Sequence, residues 1–433
     1  MIESLNLHAT HSTVGLICLY VFIFAYLVVA TEELTHLRKS KPVIIASGII
    51  WLLVADFAVT EKGFTKEQIE LLIKHNLMEY DELLLFLLVS MTYTNALVER
   101  NVFERIRYAL ISWGLSYRQI FLLTGLIAFF LSTVANNLTT AMVMGAVILA
   151  CGVRNVGFIK LGFINIVIAA NAGGVFSPFG DVTTLMAWQA GKIQFADFLD
   201  LFFPALVNWL VPAIIMVFFV SKGQPHKETD TAVHLKKGAL VIAALFFATI
   251  AIAVVCEQYL YIPPFMGMMM GLGLLMVASY WLKRSQKEPT EYDIFTNVKD
   301  SEWDTLLFFY GIIFCVGGLS DLGYLKLASS AIYNQLSYTL ANVLIGVVSS
   351  IVDNIPVMYA VLEMNPPMSI QQWLLVTLTA GVGGSLLAIG SAAGVALMGQ
   401  SKGLYSFICH LKWLPVIALG YGASIYLHIA LHQ

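Results

Sequence analysis

The chain has 433 residues, 59% of them hydrophobic and only 12% charged, with a net charge of -3 at pH 7. A soluble domain carries about 25% charged residues, so this composition excludes an ordinary water-soluble fold and makes lipid the main solvent. No basic stripe is present, and nucleic acid is excluded as a partner.

The chain reads as an all-α polytopic membrane protein of ten spans and two hairpins. The first span is expected at 13–30. No Lys or Arg precedes it between Met1 and Ser12, which fits an uncleaved first span. Spans at 42–59 and 82–99 follow. Between these two, 61–79 carries charges throughout, with an apolar stripe at Ile69, Leu72, Ile73 and Leu77. That pattern predicts an amphipathic helix on the surface. The stretch 119–152 is apolar but broken by Asn136 and Asn137, and each arm is short for a span. It predicts a re-entrant hairpin. An interrupted span at 159–191 is followed by spans at 201–220, 237–256, 264–282 and 303–320. A second hairpin is expected at 338–364, broken at Asp353, Asn354, Ile355 and Pro356. An interrupted span at 369–402 and a last span at 411–430 complete the chain. Non-helical backbone at membrane depth is tolerated only inside protein or beside a water-filled cavity.

With this span count both termini share one side. Of the 24 Lys and Arg residues, 19 fall on the opposite side and 5 on the terminal side. The positive-inside rule then places both termini outside.

Three strings recur in the same order. Ser132 to Leu138 matches Ser349 to Ile355, and Asn171 to Asp181 matches Gly381 to Ser391. Upstream, Tyr80 to Leu84 matches Trp303 to Leu307. The expected halves are 1–235 and 236–433, each with five spans and one hairpin. Five is odd, so the second half inserts inverted. Broken helices at matching positions of inverted repeats point to the substrate site of a transporter.

The hairpin tips carry Asn136, Asn137, Asp353 and Asn354. The helix breaks carry Asn171, Ser177, Asp181, Thr183, Thr184, Ser385 and Ser391. Glycines at 173, 174, 180, 383, 384, 390 and 394 are expected to let the backbone leave helical geometry. Pro178 and Pro356 are expected to hold the breaks open. A carboxylate within a span costs about 2.5–3.5 kcal/mol and usually marks an ion pathway or proton relay. No basic residue lies within the apolar spans near Asp181 and Asp353, so a bound anion would face two carboxylates without a compensating cation. Na+ would find carboxylate, amide, hydroxyl and carbonyl oxygens. The expected Na+ ligands centre on Asp353, Asn354, Asp181 and Asn137. A buried Asp can hold either a proton or a metal cation, and competition for it is the simplest exchange mechanism.

The strings VANNLTTAMVMG (from Val134), NAGGVFSPFGDVTTLMAWQ (from Asn171), SSIVDNIPVMYAVL (from Ser349) and GVGGSLLAIGSAAGVALMGQ (from Gly381) resemble the NhaD-type sodium/proton antiporters of the ion transporter superfamily. The likeness runs over nearly the whole chain, including HLRKSKP from His36 and MTYTNALVERNVF from Met91. It implies export of Na+ and Li+ against H+ in a bacterial inner membrane, and a dimeric, elevator-like architecture without a cofactor. It adds Ser132, Thr139 and Glu99 as secondary site residues. Carboxylate transporters of that superfamily resemble one another in a Ser-Asn-Thr signature at the hairpin tips. Here Asn136-Asn137-Leu138 and Asp353-Asn354-Ile355 stand instead, against a Na+-coupled carboxylate symporter.

The remaining polar residues point less clearly. Glu99 adjoins Arg100 at a span end, where interface pairing and a role in ion entry or pH sensing are both open. Asp56, Asp81 and Asp304 fall near span ends, where solvated placement is expected. The nine histidines fall in tails, loops or span ends, and none stands out. The five cysteines are scattered singly without metal-ligand spacing, as small packing residues are. An anion-efflux subunit driven by a cytoplasmic ATPase is a further reading. No Ser/His, paired-Asp or His-Glu-x-x-His constellation suggests an enzyme.

Overall fold

A computed structural model describes residues 7–35, 37–153, 155–225, 233–284, 293–401 and 403–432. Arg154, Lys227, Lys287 and Lys402 of the charge count, and His36 and His226, lie outside the described residues.

The described residues form helices and no strand. In chain order, α1 (Thr13–Ala30) is followed by α2 (Glu32–Thr35), α3 (Ser40–Thr60), α4 (Lys66–Glu99) and α5 (Val102–Ser112). The first hairpin is α6 (Tyr117–Leu131) and α7 (Asn137–Cys151), and the first broken helix is α8 (Val156–Gly174) and α9 (Val182–Gln189). A 3-10 turn (Phe195–Leu201) leads into α10 (Phe202–Val217), then α11 (Ala239–Leu260), α12 (Pro264–Arg284), α13 (Ile294–Lys299), α14 (Trp303–Leu322) and α15 (Tyr324–Tyr333). The stretch expected as a second hairpin forms two short helices, α16 (Tyr338–Ser349) and α17 (Asn354–Met364), and the second broken helix is α18 (Ile370–Gly383) and α19 (Ala392–Gln400). The short α20 (Phe407–Leu411) and the long α21 (Leu414–Leu431) end the chain. Eight of these segments are long and apolar enough to cross a bilayer. The molecule is an all-α, multi-pass membrane protein.

Local sequence sets the helix starts. Ser12 accepts from Gly15 N at 3.0 Å to cap α1. Ser116 and Gln119 form a capping box at α6, and Asn155 caps α8 by accepting from Phe158 N at 3.0 Å. Each takes up donors that a helix N-terminus leaves unpaired. The hairpin arms have 15, 15, 12 and 11 residues. At about 1.5 Å per residue none reaches the ~30 Å of a hydrocarbon core.

Two expectations need correction here. The charged stretch at 61–79 is no separate surface helix: from Lys66 it is continuous with the expected third span as one 34-residue helix, α4. No Gly or Pro interrupts 66–99. One face stays wet while Leu72 and Asn76 are buried. Pro356 does not hold a break open either. It lies in the first turn of α17, where its missing N–H has no helical partner to lose.

The described chain packs into two compact units. The first comprises 1–88, 300–337 and 359–367. Its core joins Cys18 and Ala25 of α1, Ile50 and Val54 of α3, and Cys315 and Leu319 of α14. Glycines on α14 permit that closeness: a Cβ on Gly311 would meet Val43, and one on Gly318 would meet Ile50. Leu7 N and Ala9 N donate at 2.9 Å to the carbonyls of Asp321 and Leu322, meeting acceptors that the end of α14 leaves open. Asp304 is not simply solvated. It is half-buried and accepts from the Ser40 hydroxyl at 2.5 Å, tying the starts of α3 and α14 together.

The second unit comprises 89–299, 338–358 and 368–433. α8 and α18 are its buried axis: Leu161 to Gly174 and Trp373 to Gly383 are buried throughout. α6 packs on α8 and α16 on α18. Asn165 of α8 donates to the Phe121 carbonyl at 2.6 Å and accepts from Trp209 Nε1 at 2.8 Å, joining α6, α8 and α10. α11 and α12 pair with each other and expose Leu240, Phe247, Met266 and Met270, as lipid-facing helices do. Tyr280 and Trp281 are exposed beside Lys283 and Arg284 at the end of α12, the composition of a membrane–water interface.

Candidate ion-binding site

Both breaks meet the hairpins backbone to backbone. A Cβ on Gly173 would meet the Phe129 carbonyl, and one on Gly180 would lie 2.6 Å from the Ser132 oxygen. In the second half a Cβ on Gly383 would meet the Gly346 carbonyl, and one on Gly390 the Ser350 carbonyl. None of these four glycines has a positive φ. The backbone still leaves α-helical geometry at these positions, since α8 ends at Gly174 and α18 at Gly383, but it does so without a left-handed residue. Their value is close approach, because no other residue lacks the atom that would collide.

Asp181 stands at the end of the first break, extended at φ -135 and ψ 147, and caps α9. Its Oδ1 accepts from Thr183 N at 2.9 Å and Thr183 Oγ1 at 3.0 Å. Its Oδ2 accepts from Asn137 Nδ2, at the first hairpin tip, at 2.5 Å. Asn354 Nδ2, at the second tip, reaches the same carboxylate at 3.1 and 3.3 Å. The orientation of Asn137 follows from its other end, where Oδ1 accepts from Ser132 Oγ at 2.6 Å. Both tips thus converge on one carboxylate that is only 7% exposed. Every hydrogen-bond donor to it is neutral. Asp353, half-buried and next in chain to Asn354, repels it electrostatically.

The other expected residues fall into three groups. Thr184, Ser177, Asn136 and Ser391 shape backbone. Thr184 donates to the carbonyls of Ser177 and Asp181 at 2.8 and 2.6 Å. Ser177 Oγ accepts from Phe179 N at 3.2 Å. Asn136 Oδ1 accepts from Thr139 N at 2.8 Å to cap α7. Ser391 caps α19, accepting from Gly394 N at 3.3 Å, in the same extended conformation as Asp181. Asn171 and Ser385 form a second group. Asn171 Nδ2 donates to Ser385 Oγ at 2.9 Å, joining the two broken helices. Asn171 is fully buried, and its Oδ1 has no hydrogen-bond partner. Glu99 stands apart. It accepts from Asn297 Nδ2 at 3.0 Å, and no hydrogen bond joins it to Asp181.

Sequence reasoning passed over His410. It is fully buried and reaches the Ser385 carbonyl at 2.8 Å. Its position one residue before an expected span read as an interface. In the first unit, ligand atoms of His75, Glu79 and Glu363 lie within 4.8 Å of one another, and Tyr359 donates to Glu79 at 2.6 Å. His75 and Glu79 lie in the stretch 61–79, whose charge pattern predicts a wet surface helix.

Two hairpin tips and a helix break around one buried carboxylate, in an all-α multi-pass protein, define a class: membrane transporters with discontinuous helices at the binding site. Residues 16–383 match the family model CitMHS, described as citrate transporter, and the chain belongs to that family, among its NhaD-type members. It is 51% identical to the Na(+)/H(+) antiporter NhaD of Alkalimonas amylolytica over 98% of this chain and 92% of that protein. The Na(+)/H(+) antiporter NhaD of Vibrio cholerae is 50% identical, over 98% of this chain and 93% of its own length. Sodium/proton antiporter 1 of Arabidopsis thaliana is 31% identical, over 89% of this chain and 68% of its own length.

Proposed function

We propose that this chain is a secondary antiporter that exports Na+, and Li+, in exchange for H+ across a bacterial inner membrane. The observation that carries the reading is the meeting of Asn137 and Asn354 on the Asp181 carboxylate. An ionised carboxylate offers about four lone-pair sites, and the four donors here fill them, so a cation binds by taking the place of one of these neutral donors. A protonated one is neutral and releases it. Asp353 is the second carrier, because its charge opposes that of Asp181 until a cation or a proton offsets it. Asn171 contributes its unpartnered oxygen. Thr183 holds Asp181, while Thr184, Ser177, Ser391, Asn136, Thr139 and Ser132 hold the breaks and tips in place. The names of relatives sharing about half the residues agree with this exchange.

The halves 1–235 and 236–433 act in this reading as inverted repeats that alternate access to the site, in an elevator-like homodimer with both termini outside. The correspondence of the α6–α9 and α16–α19 segments supports it: each is a pair of short helices followed by a helix in two pieces. A Na+-coupled carboxylate symporter is disfavoured, since its anion would approach Asp181 and Asp353.

Everted membrane vesicles with an imposed ΔpH test the reading. Addition of Na+ should collapse ΔpH with the wild-type protein. Asp181→Asn and Asp353→Asn, each keeping volume and losing the titratable charge, should reduce the collapse to background while the protein still accumulates in the membrane. Exchange by both variants at wild-type rate and affinity would make the carboxylates structural.

A further inference from the structure

The two helix breaks are braced differently. The first braces itself, through the Thr184 hydroxyl and the carbonyls of Ser177 and Asp181. In the sequence correspondence Gly394 stands opposite Thr184, and it has no hydroxyl to give. Support for the second break comes from outside it. His410 of α20 places Nε2 2.8 Å from the Ser385 carbonyl oxygen. A carbonyl only accepts, so Nε2 carries the hydrogen. Nδ1 lies 2.6 Å from the Tyr405 hydroxyl. In the neutral ring Nδ1 accepts and Tyr405 donates, and this fixes the tautomer. Burial pushes the His410 pKa down to about 4, so the neutral ring persists. Tyr405 is itself held: Ser401 Oγ lies 3.1 Å from both its N and its carbonyl oxygen, and its ring packs edge-on against Phe163 of α8.

The line continues past the break. The Ser385 hydroxyl accepts from Asn171 Nδ2 at 2.9 Å, and the Asn171 Oδ1 at the far end is buried without a hydrogen-bond partner. Such an acceptor is costly to leave unmet, and a cation meets it without needing a hydrogen. We propose that His410 is a positioning residue for the transported cation: by fixing Ser385 it sets the orientation of the Asn171 amide, whose oxygen is offered to the ion. This rests on the sodium/proton reading above and adds to it a residue with no direct contact to the ion.

The test is a Na+ titration of ΔpH collapse in everted vesicles carrying wild type, His410→Ala, His410→Gln, Asn171→Ala or the double Ala variant. Loss of a supporting partner of this kind weakens metal affinity by about tenfold or more. His410→Ala should raise the half-saturating Na+ by about that factor, with little change in maximal rate. His410→Gln keeps a donor for the Ser385 carbonyl and should recover most of the affinity. If His410 acts through Asn171, adding His410→Ala to Asn171→Ala should raise the constant no further. Wild-type half-saturation in His410→Ala would overturn the proposal. So would a loss confined to maximal rate, an effect additive with Asn171→Ala, or a folded His410→Gln no better than Ala. Should His410→Ala fail to accumulate, Tyr405→Phe takes its place. It removes the donor to Nδ1 and should raise the constant in the same direction by less, and an unchanged constant would count against the proposal. Absence of Na+-driven collapse in wild-type vesicles would sink the antiport reading and this inference with it. Wild-type exchange with unaltered His410 variants would sink this inference alone.

Discussion

At Asp181, donors from three chain segments meet on one carboxylate, and Asn137 among them is oriented by a neighbour. The Ser132 hydroxyl turns the Asn137 amide so that its nitrogen faces Asp181. Removing that hydroxyl leaves the amide free to rotate. A net hydrogen bond contributes about 1 kcal/mol, so Ser132→Ala is expected to weaken Na+ binding by a few-fold. The half-saturating Na+ in the vesicle assay reads this directly, and an unchanged value would show that Asn137 is held by other means. Asn354 is 6% exposed and Asp353 half-buried, although they are adjacent in sequence. The two charge-removing variants should therefore be distinguishable. Asp181→Asn breaks a satisfied network, whereas Asp353→Asn removes a charge that repels Asp181. In detergent, the first should melt at a lower temperature than wild type and the second should not.

Among the elements, the broken helices depend on glycines for close contact with the segments beside them. Gly173→Ala and Gly383→Ala would each press a Cβ into a hairpin backbone carbonyl. Overpacking of this kind typically costs about 1–3 kcal/mol. Lower melting temperature and reduced membrane yield are expected, and Gly399→Ala, where nothing lies within 4 Å, is the matched control. α20 supplies a pH dependence of its own. The folded His410 stays neutral down to about 4, against an ordinary value of 6.5. Between those values the unfolded chain binds a proton that the folded chain does not. This contribution to stability is therefore complete above about 6.5 and is lost as pH falls toward 4. Melting measured across that window should fall, and fall less steeply in His410→Gln.

For the whole molecule, the open question is orientation. The Lys and Arg distribution supports the proposed topology, in which Glu61 is outside and Lys222 inside. Both are exposed. A membrane-impermeant maleimide should label Glu61→Cys in intact cells, and Lys222→Cys only after permeabilisation. The reverse pattern would invert the proposed topology and with it the direction of hairpin entry. The two compact units each draw on both sides of residue 235. Sequence halves are thus not compact bodies, and repeat correspondence and compactness answer different questions. α4 and α17 contribute residues to both units.

The sequence by itself determined the solvent, the helical class, where the apolar stretches break, and the polar residues at those breaks. Its reason is simple: in an apolar chain each polar residue is costly, so Asn136, Asn137, Asp181, Asp353 and Asn354 are conspicuous. What only the tertiary structure decided is which of these residues touch. Asn137, Asp181 and Asn354 are brought together across 173 and 44 residues of chain, and no local pattern encodes such contacts. Helix continuity through 66–99 was also undecidable locally, because charges on one face do not forbid burial of the other. Nor could composition separate a histidine at an interface from His410, whose burial depends on Tyr405 and Ser385 arriving on either side of its ring.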